Sequence, residues 1–490
     1  MYNVLSAQQI KDAEAELISS GISGALLTFS AALAIADGIS DRAGEKGAKT
    51  AVFCGSGGNG CDGALAAIRL HRIGRKVCIY TVGNFGDKSA ASEALRFARC
   101  NGVKILTSEE YDGSADIIID AIFGIGLNRN IDDATASLIN RLNCQENAFR
   151  FAVDIPSGLN ADSGEIMGAS FDAHVTMTFS CYKRGMLFGR GRDCCGRILV
   201  EDIGIPTSSD VKIYTDADFK PFKRKQSAHK GNAGRVYVIG GCGTMIGAPV
   251  MAGAAAHAAH LSGAGTVTVC VPSVHRTATS ARSTMSMMKY LSDTPDGFIK
   301  FDKTELDEIA ERADAVNIGM GMGKTPDLKR ILQYFCDNYD KSLIIDADAI
   351  NCLNGDIGFL KNAKCNIVLT PHVGEFKRLT GNDPTIENAR KLAGDINGIV
   401  VLKSATTIVT NGAETRLNVT GTPAMAKGGM GDILGGCITA LTCAFSPLDA
   451  ATVACYRNGI GAERAVSSYA EMMLTANDVL HMANYPELDD

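Results

Sequence analysis

Apolar runs of strand length alternate with helix-like segments along the N-terminal half of the chain. Residues 49–54 form one such run, residues 64–71 have the spacing of a helix, and residues 76–82 form the next run. A strand, a helix and a second strand in this order make one β-α-β unit. Two later apolar runs, residues 115–120 and 150–154, each end at an aspartate. The pattern predicts a parallel sheet with helices on its faces, which is the α/β class.

The C-terminal half repeats this alternation, and its apolar runs stop at polar clusters. The run at 343–345 ends at Asp346, and the run at 367–369 leads to His372. Residues 398–402 are predicted to form a buried strand that precedes a polar loop. Because open α/β sheets bind ligands at the carboxyl ends of their strands, we interpret His372 as a ligand contact.

A glycine-rich segment, residues 420–432, precedes the helix-like run 433–440 and ends at Asp432. Backbone N–H groups that open a helix converge on an anion, so this turn can hold a phosphate. Asp432 would repel a phosphate, but it is well placed to take a proton from an attacking hydroxyl. The alternative is an ordinary helix N-terminus with an acidic residue in its first turn.

The order of motifs in this half resembles the ADP-dependent NAD(P)H-hydrate dehydratases, which have a ribokinase-like fold. The matching elements include Thr-Pro-His-Val-Gly-Glu-Phe at 370–376, Leu-Lys-Ser-Ala-Thr at 402–406 and Ala-Lys-Gly-Gly-Met-Gly-Asp at 426–432. The match runs from about Arg235 to Leu480. The resemblance implies that Asp432 is the catalytic base, that ADP is the co-substrate with ATP left open, and that Mg²⁺ accompanies the nucleotide.

The same resemblance implies two sets of contacts in the C-terminal half. The nucleotide contacts would be Lys403, Ser404, Ala405, Thr406, Thr407, Gly428, Gly429 and Gly431. The hydrate contacts would be Ala248, Gly321, His372 and Asp432.

Four oxygen-bearing side chains in the N-terminal half are predicted to meet at one sheet edge: Asn59, Asp120, Asp154 and Ser157. Hard oxygen donors suit an alkali or alkaline-earth cation, and they do not suit zinc or copper. The alternative for the two aspartates is that each caps a turn before a glycine-rich loop. Ordinary dehydrogenase chemistry is disfavoured, because residues 83–84 are Gly-Asn where an acidic residue would end the second strand.

Three motifs of this half resemble the NAD(P)H-hydrate epimerases over roughly residues 5–206: the glycine loop at 55–63, Asp-Ala-Ile-Phe-Gly-Ile-Gly-Leu at 120–127, and Asp-Ile-Pro-Ser-Gly at 154–158. The resemblance implies that K⁺ is bound by Asn59, Asp120 and Ser157. The implied contacts with the hydrated dinucleotide are Gly58, Asn59, Gly60, Cys61, Asp62, Gly124, Ile125, Gly126, Leu127, Asn128, Arg129, Asn130 and Asp154. Asp154 is expected to lie near the nicotinamide ring as a catalytic residue.

Two further residues bear on this half. Cys61 stands where the family has a glycine, which could alter how the backbone meets a phosphate. Lys183 is a candidate for proton transfer, although we favour the interpretation of an exposed lysine on a turn.

Composition narrows the partners and the compartment. The chain has 490 residues and a formal net charge of −6, which disfavours nucleic acid as a partner. Its 16 cysteines include no Cys-x-x-Cys pair, which favours reduced thiols in the cytoplasm. No signal peptide or membrane span is predicted. A homo-oligomer is allowed but not required.

These observations predict an α/β protein of two domains. Residues 1–218 would be a Rossmann-like three-layer epimerase domain, and residues 219–490 a ribokinase-like dehydratase domain with the boundary near Phe219. The predicted substrates are NADHX and NADPHX, the hydrated forms of NADH and NADPH. One domain would interconvert their R and S forms, and the other would phosphorylate the C6 hydroxyl of the S form and eliminate phosphate. Two alternatives remain, namely a C-terminal small-molecule kinase and an N-terminal binding module without catalysis.

Overall fold

The computed structural model describes residues 1–42, 47–87, 89–218, 226–227, 229–244, 247–280, 285–468 and 471–483. The chain divides into two compact units. One comprises Tyr2–Ser209, and the other starts at Asp210 and includes Met1. The predicted boundary near Phe219 falls outside the described residues. The division precedes Val211–Ile213 because this strand pairs with a strand of the C-terminal unit.

The N-terminal unit is built on a parallel sheet. Its strands are β1 (Tyr2–Leu5), β2 (Lys49–Cys54), β3 (Lys76–Thr81), β4 (Lys104–Thr107), β5 (Ile117–Ala121), β6 (Phe149–Val153), β7 (Val175–Phe179), β8 (Tyr182–Lys183) and β9 (Arg197–Glu201). Its helices are α1 (Ala7–Ser19), α2 (Gly24–Arg42), α3 (Gly58–Arg72), α4 (Ala90–Cys100), α5 (Asp133–Asn143) and α6 (Gly191–Cys194). Within the described residues the sheet order is β4-β3-β2-β5-β6-β7-β9, and β1 pairs with β8. The order reverses between β2 and β5, which is where open α/β sheets bind ligands.

The glycine loop predicted after β2 is largely helical. Helix α3 begins at Gly58, six residues before the predicted helix start at Ala64. The reason is close packing, because a Cβ on Gly60 would lie 1.8 Å from the Gly55 carbonyl oxygen, and one on Gly63 would lie 2.5 Å from the Ala121 Cβ. The glycines therefore let α3 start directly against the ends of β2 and β5.

Helix α2 is the one described helix that is long and apolar enough to cross a membrane, judged by length and composition alone. The sequence analysis did not identify it. Its residues Ala31, Ala32, Ile35, Ala36 and Ile39 are buried in the core that also contains the inner face of α3. A core helix passes the same test of length and composition, and packing against α3 accounts for the apolar face of α2.

The C-terminal unit contains a larger sheet. Its strands are β10 (Val211–Ile213), β11 (Arg235–Ile239), β12 (Thr266–Pro272), β13 (Met287–Leu291), β14 (Ala315–Ile318), β15 (Ser342–Ile345), β16 (Asn366–Leu369), β17 (Ile399–Leu402), β18 (Thr407–Thr410) and β19 (Thr415–Asn418). Its helices are α7 (Ala248–Leu261), α8 (Arg276–Ser280), α9 (Lys303–Arg312), α10 (Pro326–Asn338), α11 (Asp348–Leu353), α12 (Val373–Thr380), α13 (Ile386–Asp395), α14 (Met430–Leu441), α15 (Pro447–Ser468) and α16 (Ala476–Ala483).

The described strands of this sheet follow the order β13-β12-β11-β14-β15-β16-β17-β18-β19-β10. The pairs from β13 to β17 are parallel, whereas β17, β18 and β19 form an antiparallel meander. The carboxyl ends of β14 to β17 consequently lie along one edge. Helix α14 packs on this sheet and against α7, and its side chains Ile433, Cys437 and Ile438 belong to the core.

Candidate functional sites

A pocket of about 990 Å³ opens in the N-terminal unit at the carboxyl ends of β2, β5 and β6. Of the predicted dinucleotide contacts, the residues that line it are Gly58, Asn59, Asp62, Gly124, Ile125, Gly126, Leu127, Asn128, Arg129, Asn130 and Asp154. The size suits a small-molecule ligand, and the lining combines backbone-rich loops with a few polar side chains.

The predicted cation ligands surround the backbone of Phe123. The Asn59 Nδ2 donates to the Phe123 carbonyl oxygen at 2.8 Å and to the Val153 carbonyl oxygen at 3.1 Å. The Ser157 Oγ accepts from the Phe123 N–H at 2.8 Å and donates to the Asp120 carboxylate at 2.6 Å. The structure therefore brings Asn59, Asp120 and Ser157 together from three separate segments.

The donor chemistry of this cluster fits a monovalent cation. The Asp120 side chain is fully buried, and burial raises the pKa of its carboxyl to about 6, although hydrogen bonds from Ser157 and Ile122 act in the opposite direction. A buried carboxylate of this kind gains from a cation beside it. With both hydrogens of its Nδ2 engaged, Asn59 retains its Oδ1, which is positioned toward Gly124. Oxygen donors of this type suit K⁺ better than a softer metal.

Asp154 directly follows β6, and its carboxylate forms an ion pair with Lys183. The Lys183 Nζ donates to the Asp154 Oδ1, to the Thr178 Oγ1 at 2.6 Å and to the Phe179 carbonyl oxygen at 3.2 Å. Only 1% of the Lys183 side chain is exposed. The interpretation of Lys183 as an exposed turn residue is therefore wrong. Lys183 lies in β8, where it pairs with Leu5 of β1, and its ammonium is enclosed by Asp154, Thr178 and Phe179.

Asp154 has a backbone φ of +64°, a region that few residues other than glycine adopt. Such strain persists only where the surroundings hold it, and it concentrates at functional sites. The conformation turns the carboxylate toward the pocket, which Asp154 and Lys183 both line.

Two predicted contacts do not line this pocket. Gly60 is packed against Gly55. Cys61 is buried, and its Sγ lies 3.7 Å from the Ala90 carbonyl oxygen of α4. Because the side chain at position 61 faces the core, the replacement of the family glycine leaves the pocket wall unchanged.

Glu14 is a pocket residue that the sequence analysis missed. It lies on α1, whose N-cap Ser6 holds the helix start through a capping box with Gln9. Together with Ile10, it faces the pocket from outside the glycine motifs. The sequence of residues 6–17 has a serine cap and helical spacing, which predict a helix, but nothing in it indicates which face meets the sheet.

The second site lies at the N-terminus of α14. This helix begins at Met430, three residues before the predicted start, so Asp432 lies in its first turn. Gly429 precedes the helix with a φ of +90°, a conformation that glycine adopts at low cost. A Cβ on Gly431 would lie 3.4 Å from the Lys403 Nζ, so Gly431 brings the backbone close to a cationic side chain.

Charged side chains cluster beside this turn. The Lys403 Nζ forms an ion pair with the Asp346 Oδ1 at 2.9 Å. Burial alone would lower the pKa of Lys403, but Asp346, Glu375 and Asp432 together raise it above its ordinary value. Lys403 is therefore a permanent cation next to the glycine turn.

Asp432 is 8% exposed, and its carboxyl has a strongly shifted pKa. Burial and the neighbouring charge of Asp346 raise the pKa to about 7, and Lys403 partly offsets them. A carboxyl that titrates near neutral pH can both take and return a proton in that range. The geometry thus places a proton acceptor, a cation and the N–H groups of the first turn of α14 at one place, as phosphoryl transfer requires.

The remaining predicted contacts lie along the same sheet edge. His372 caps α12 and accepts from the Gly374 N–H at 2.9 Å, and its backbone forms a bridge to Lys403. Residues 403–406 form the turn between β17 and β18, and Thr407 is the first residue of β18. Within the turn the Ser404 Oγ donates to the Thr406 carbonyl oxygen at 2.6 Å. Gly321 lies in the loop after β14, and Ala248 is the first residue of α7.

Three residues at this site are absent from the predicted contacts. Asp346 and Glu375 stand in the quoted motifs without a role, and Asn317 was not predicted at all. Asn317 is fully buried in β14, and neither its Oδ1 nor its Nδ2 has a hydrogen-bond partner among the described residues. A Cβ on Gly435 of α14 would lie 2.9 Å from that Nδ2. Glu375 accepts from the His372 N–H at 2.9 Å.

Two family models match the chain. The model described as NAD(P)H-hydrate dehydratase matches residues 236–483, and the model described as YjeF-related protein N-terminus matches residues 24–185. The fold and the two sites define a two-domain α/β enzyme that joins these modules.

Curated relatives cover nearly the whole chain. The bifunctional NAD(P)H-hydrate repair enzyme Nnr of Pyrobaculum aerophilum is 33% identical over 88% of this chain and 87% of its own length. The corresponding enzyme of Coxiella burnetii is 32% identical over 96% of both chains. The chain therefore belongs to the family of bifunctional NAD(P)H-hydrate repair enzymes, which join an epimerase to a dehydratase.

Solved structures resemble the C-terminal unit. A ribokinase-like superfamily protein from Enterococcus faecalis is 24% identical, covers 57% of this chain and 96% of its own, and gives a TM-score of 0.48. The ADP/ATP-dependent NAD(P)H-hydrate dehydratase from Bacillus subtilis, co-crystallised with ATP/Mg²⁺, is also 24% identical, with 56% and 97% coverage and a TM-score of 0.47. The predicted α/β class with two domains is confirmed by the two units, each built on a sheet with parallel strands, and by the two family models.

Proposed function

We propose that the N-terminal pocket interconverts the R and S forms of NADHX and NADPHX and that the C-terminal site dehydrates the S form with ADP or ATP. The observation that carries the proposal is the juxtaposition of Asp432, with a pKa of about 7, and the glycine turn that opens α14. Family membership supports the pairing of the two activities on one chain.

Dehydration needs a better leaving group than hydroxide, and phosphorylation of the C6 hydroxyl supplies one. Asp432 takes the hydroxyl proton as the oxygen attacks the terminal phosphate of the nucleotide. The N–H groups from Gly428 to Gly431 stabilise the charge that develops on the transferred group, and Lys403 adds positive potential. Phosphate then leaves as the ring nitrogen's electron pair forms the iminium, and loss of the C5 proton gives NAD(P)H.

The nucleotide contacts proposed from the sequence are the segment from Lys403 to Thr407 together with Gly428, Gly429 and Gly431. Those proposed for the hydrate are Ala248, Gly321, His372 and Asp432. Mg²⁺ bound with the nucleotide would screen its phosphate charges, as it does in other phosphoryl-transfer enzymes.

In the N-terminal unit we propose that Asn59, Asp120 and Ser157 hold K⁺, which would neutralise the buried Asp120 and attract the dinucleotide phosphates. The residues proposed to bind the hydrated dinucleotide are Gly58, Asn59, Asp62, those predicted at 124–130, and Asp154. Asp154 would act at the nicotinamide ring. The proposed compartment is the cytoplasm, where reduced nicotinamides are consumed.

The test follows the absorbance of reduced nicotinamide when purified protein meets mixed NADPHX epimers and ADP, with ATP in a parallel reaction. The expected result is complete conversion of both epimers to NADPH by the wild type. Recovery of a stable phosphate ester in place of NADPH would contradict the dehydratase and indicate a kinase. Conversion of the S form alone, with the R form left at its uncatalysed rate, would contradict the epimerase and indicate a binding module.

A further inference from the structure

The N-terminal pocket brings an unusual number of carboxylates near one ammonium group. Glu14, Asp62, Asp132 and Asp154 all line it. Asp132 has a structural role, because its carboxylate caps α5 by accepting a hydrogen bond from the Thr135 N–H at 2.8 Å. Three carboxyl groups, on α1, on α3 and after β6, therefore remain for the ligand.

The Asp154 carboxylate is held in a fixed position by its ion pair with Lys183. The three hydrogens of the Lys183 ammonium have three acceptors, namely Asp154, Thr178 and the Phe179 carbonyl oxygen. Asp154 also accepts from the Phe179 N–H at 3.4 Å. An ammonium with every donor engaged and almost no exposure cannot turn to another partner, so its charge is committed to Asp154.

Asp62 is in the opposite situation. It lies on α3, where no basic side chain among the described residues is recorded as its partner. Burial raises the pKa of its carboxyl well above the ordinary range, and the charges of Asp154 and Glu14 raise it further. The groups around Asp62 are thus Cys61 on its own helix, Glu14 on α1, Asp154 after β6 and, beyond Asp154, Lys183 on β8. Two nearby carboxyl groups in such different environments divide naturally into an acid and a base.

We propose that Asp62 is the proton donor and Asp154 the proton acceptor of the epimerase reaction, and that Lys183 is a positioning residue for Asp154. The proposal rests on the proposed epimerase function and names the groups that perform it. Glu14 contributes charge that keeps the Asp62 proton in place.

The reaction balances with these two groups alone. The Asp154 carboxylate takes the proton of the C6 hydroxyl. The electron pair of that O–H bond becomes the second bond of a C6 carbonyl, and the C6–N1 bond breaks. Its electron pair goes to N1, where conjugation with the ring carboxamide stabilises it, and Asp62 supplies the proton to N1. Rotation about the C5–C6 bond then presents the other carbonyl face. Closure by N1 returns one proton to Asp62 and one from Asp154 to the oxygen, so neither an oxidant nor a reductant is needed.

The experiment uses the full chain without nucleotide, so that the dehydratase is silent. A single purified NADPHX epimer is incubated with protein, and the two epimers are separated by liquid chromatography against a protein-free control. We expect Asp62→Asn to lower kcat about 10²- to 10³-fold, the usual contribution of a general acid. The matched control is Asp133→Asn, an exposed carboxylate at the start of α5, which should retain wild-type kcat.

The pH dependence separates catalysis from folding. Because the donor must be protonated, wild-type kcat should fall as pH rises through the raised pKa of Asp62, and Asp62→Asn should lose that limb. Lys183→Met should lower kcat far more than it changes KM, and Lys183→Arg should restore part of the loss. Dehydratase turnover of the S form with ADP and the melting temperature report folding of each variant.

Three results overturn the proposal. The first two are Asp62→Asn with kcat within threefold of wild type and an unchanged alkaline limb in that variant. The third is Lys183→Met with a lowered melting temperature but intact kcat, as a merely structural lysine would give. If the wild type itself does not accelerate epimer exchange, the epimerase function fails, and this outcome is distinct from those three.

Discussion

Asp432 combines two properties that a base working near neutral pH requires. It sits in the first turn of α14 beside a cation, and its pKa is raised to about 7 chiefly by burial. An ordinary aspartate would be fully ionised at this pH but too weak a base to take an alcohol proton efficiently. The residues that surround Asp432 therefore strengthen it as a base while Lys403 keeps it from being permanently protonated.

The first prediction is a pH profile for the dehydratase. The base acts when deprotonated, so kcat with saturating ADP and hydrate should rise with pH up to about 7 and then level off. Asp432→Asn should lower kcat about 10²-fold or more and remove that limb. Asp395→Asn, at the exposed end of α13, is the matched control. An Asp432→Asn variant with substantial activity would exclude Asp432 as the base.

The second prediction concerns stability at the same residue. The folded-state pKa of about 7 exceeds the ordinary value of 3.8, so the folded state binds more protons and loses stability as pH rises between these values. Asp432→Asn should therefore unfold at a higher temperature than the wild type at pH 8, with a gain on the order of 2–4 kcal/mol, and the gap should shrink toward pH 5. Equal melting temperatures at pH 8 would contradict the buried-charge account.

Helix α14 depends on a single backbone conformation at its start. Gly429 has a φ of +90°, where any residue with a side chain would have a strained backbone even if space were available. This conformation directs the following N–H groups toward the proposed phosphate site. The helix is pressed onto β14 at Gly435 and onto α7 at Gly436, where a Cβ would lie 1.9 Å from the Ala255 carbonyl oxygen. Glycines thus set both the direction and the depth of α14.

The third prediction tests that role. Gly429→Ala should lower the free energy of unfolding by about 1 kcal/mol and raise KM for the nucleotide, because alanine resists the left-handed conformation. The matched control is Gly253→Ala within α7, where a Cβ meets nothing within 4 Å. That change should stabilise the helix by about 0.5–1 kcal/mol. A Gly429→Ala variant as stable as the wild type, with unchanged KM, would refute the account of the turn.

The local sequence pattern predicted the strands and the positions of the motifs. It did not predict which side chains the motif residues contact. Alternation of apolar runs located the strands that end near Asp120 and Asp154, and the capped start of α1 was also visible. The Lys403–Asp346 ion pair joins residues 57 positions apart, and it exists because β15, β16 and β17 are neighbours in the sheet. Lys183 was interpreted as an exposed lysine on a turn, but it lies in β8, which pairs with β1, and its side chain is buried. Strand order and pairing with distant segments cannot be read from local spacing.

At the scale of the whole molecule, the two sites belong to two compact units, and each site has its own acid–base groups. Asp154 and Lys183 belong to Tyr2–Ser209, whereas Asp432, Lys403 and Asp346 belong to the unit that starts at Asp210. No residue described at one site is shared with the other. The chemistry of each unit should therefore be removable without the other.

The fourth prediction is that the two activities separate. Asp432→Asn should retain wild-type epimer exchange while losing dehydration, and Asp120→Asn should retain dehydration of pure S epimer while losing exchange. Wild-type protein should also melt at a higher temperature in KCl than in tetramethylammonium chloride, and Asp120→Asn should lose that difference. Loss of both activities from either single variant, with its melting temperature preserved, would contradict independent units.

The inward position of Cys61 has a consequence for how such proteins are found. The thiol points to α4, so the sequence can vary there without touching the ligand, whereas Gly60 and Gly63 have no room for a side chain. A search pattern that requires glycine at every position of the motif would reject this chain because of Cys61, whose side chain does not line the pocket. A pattern weighted by the space around each Cβ would keep it.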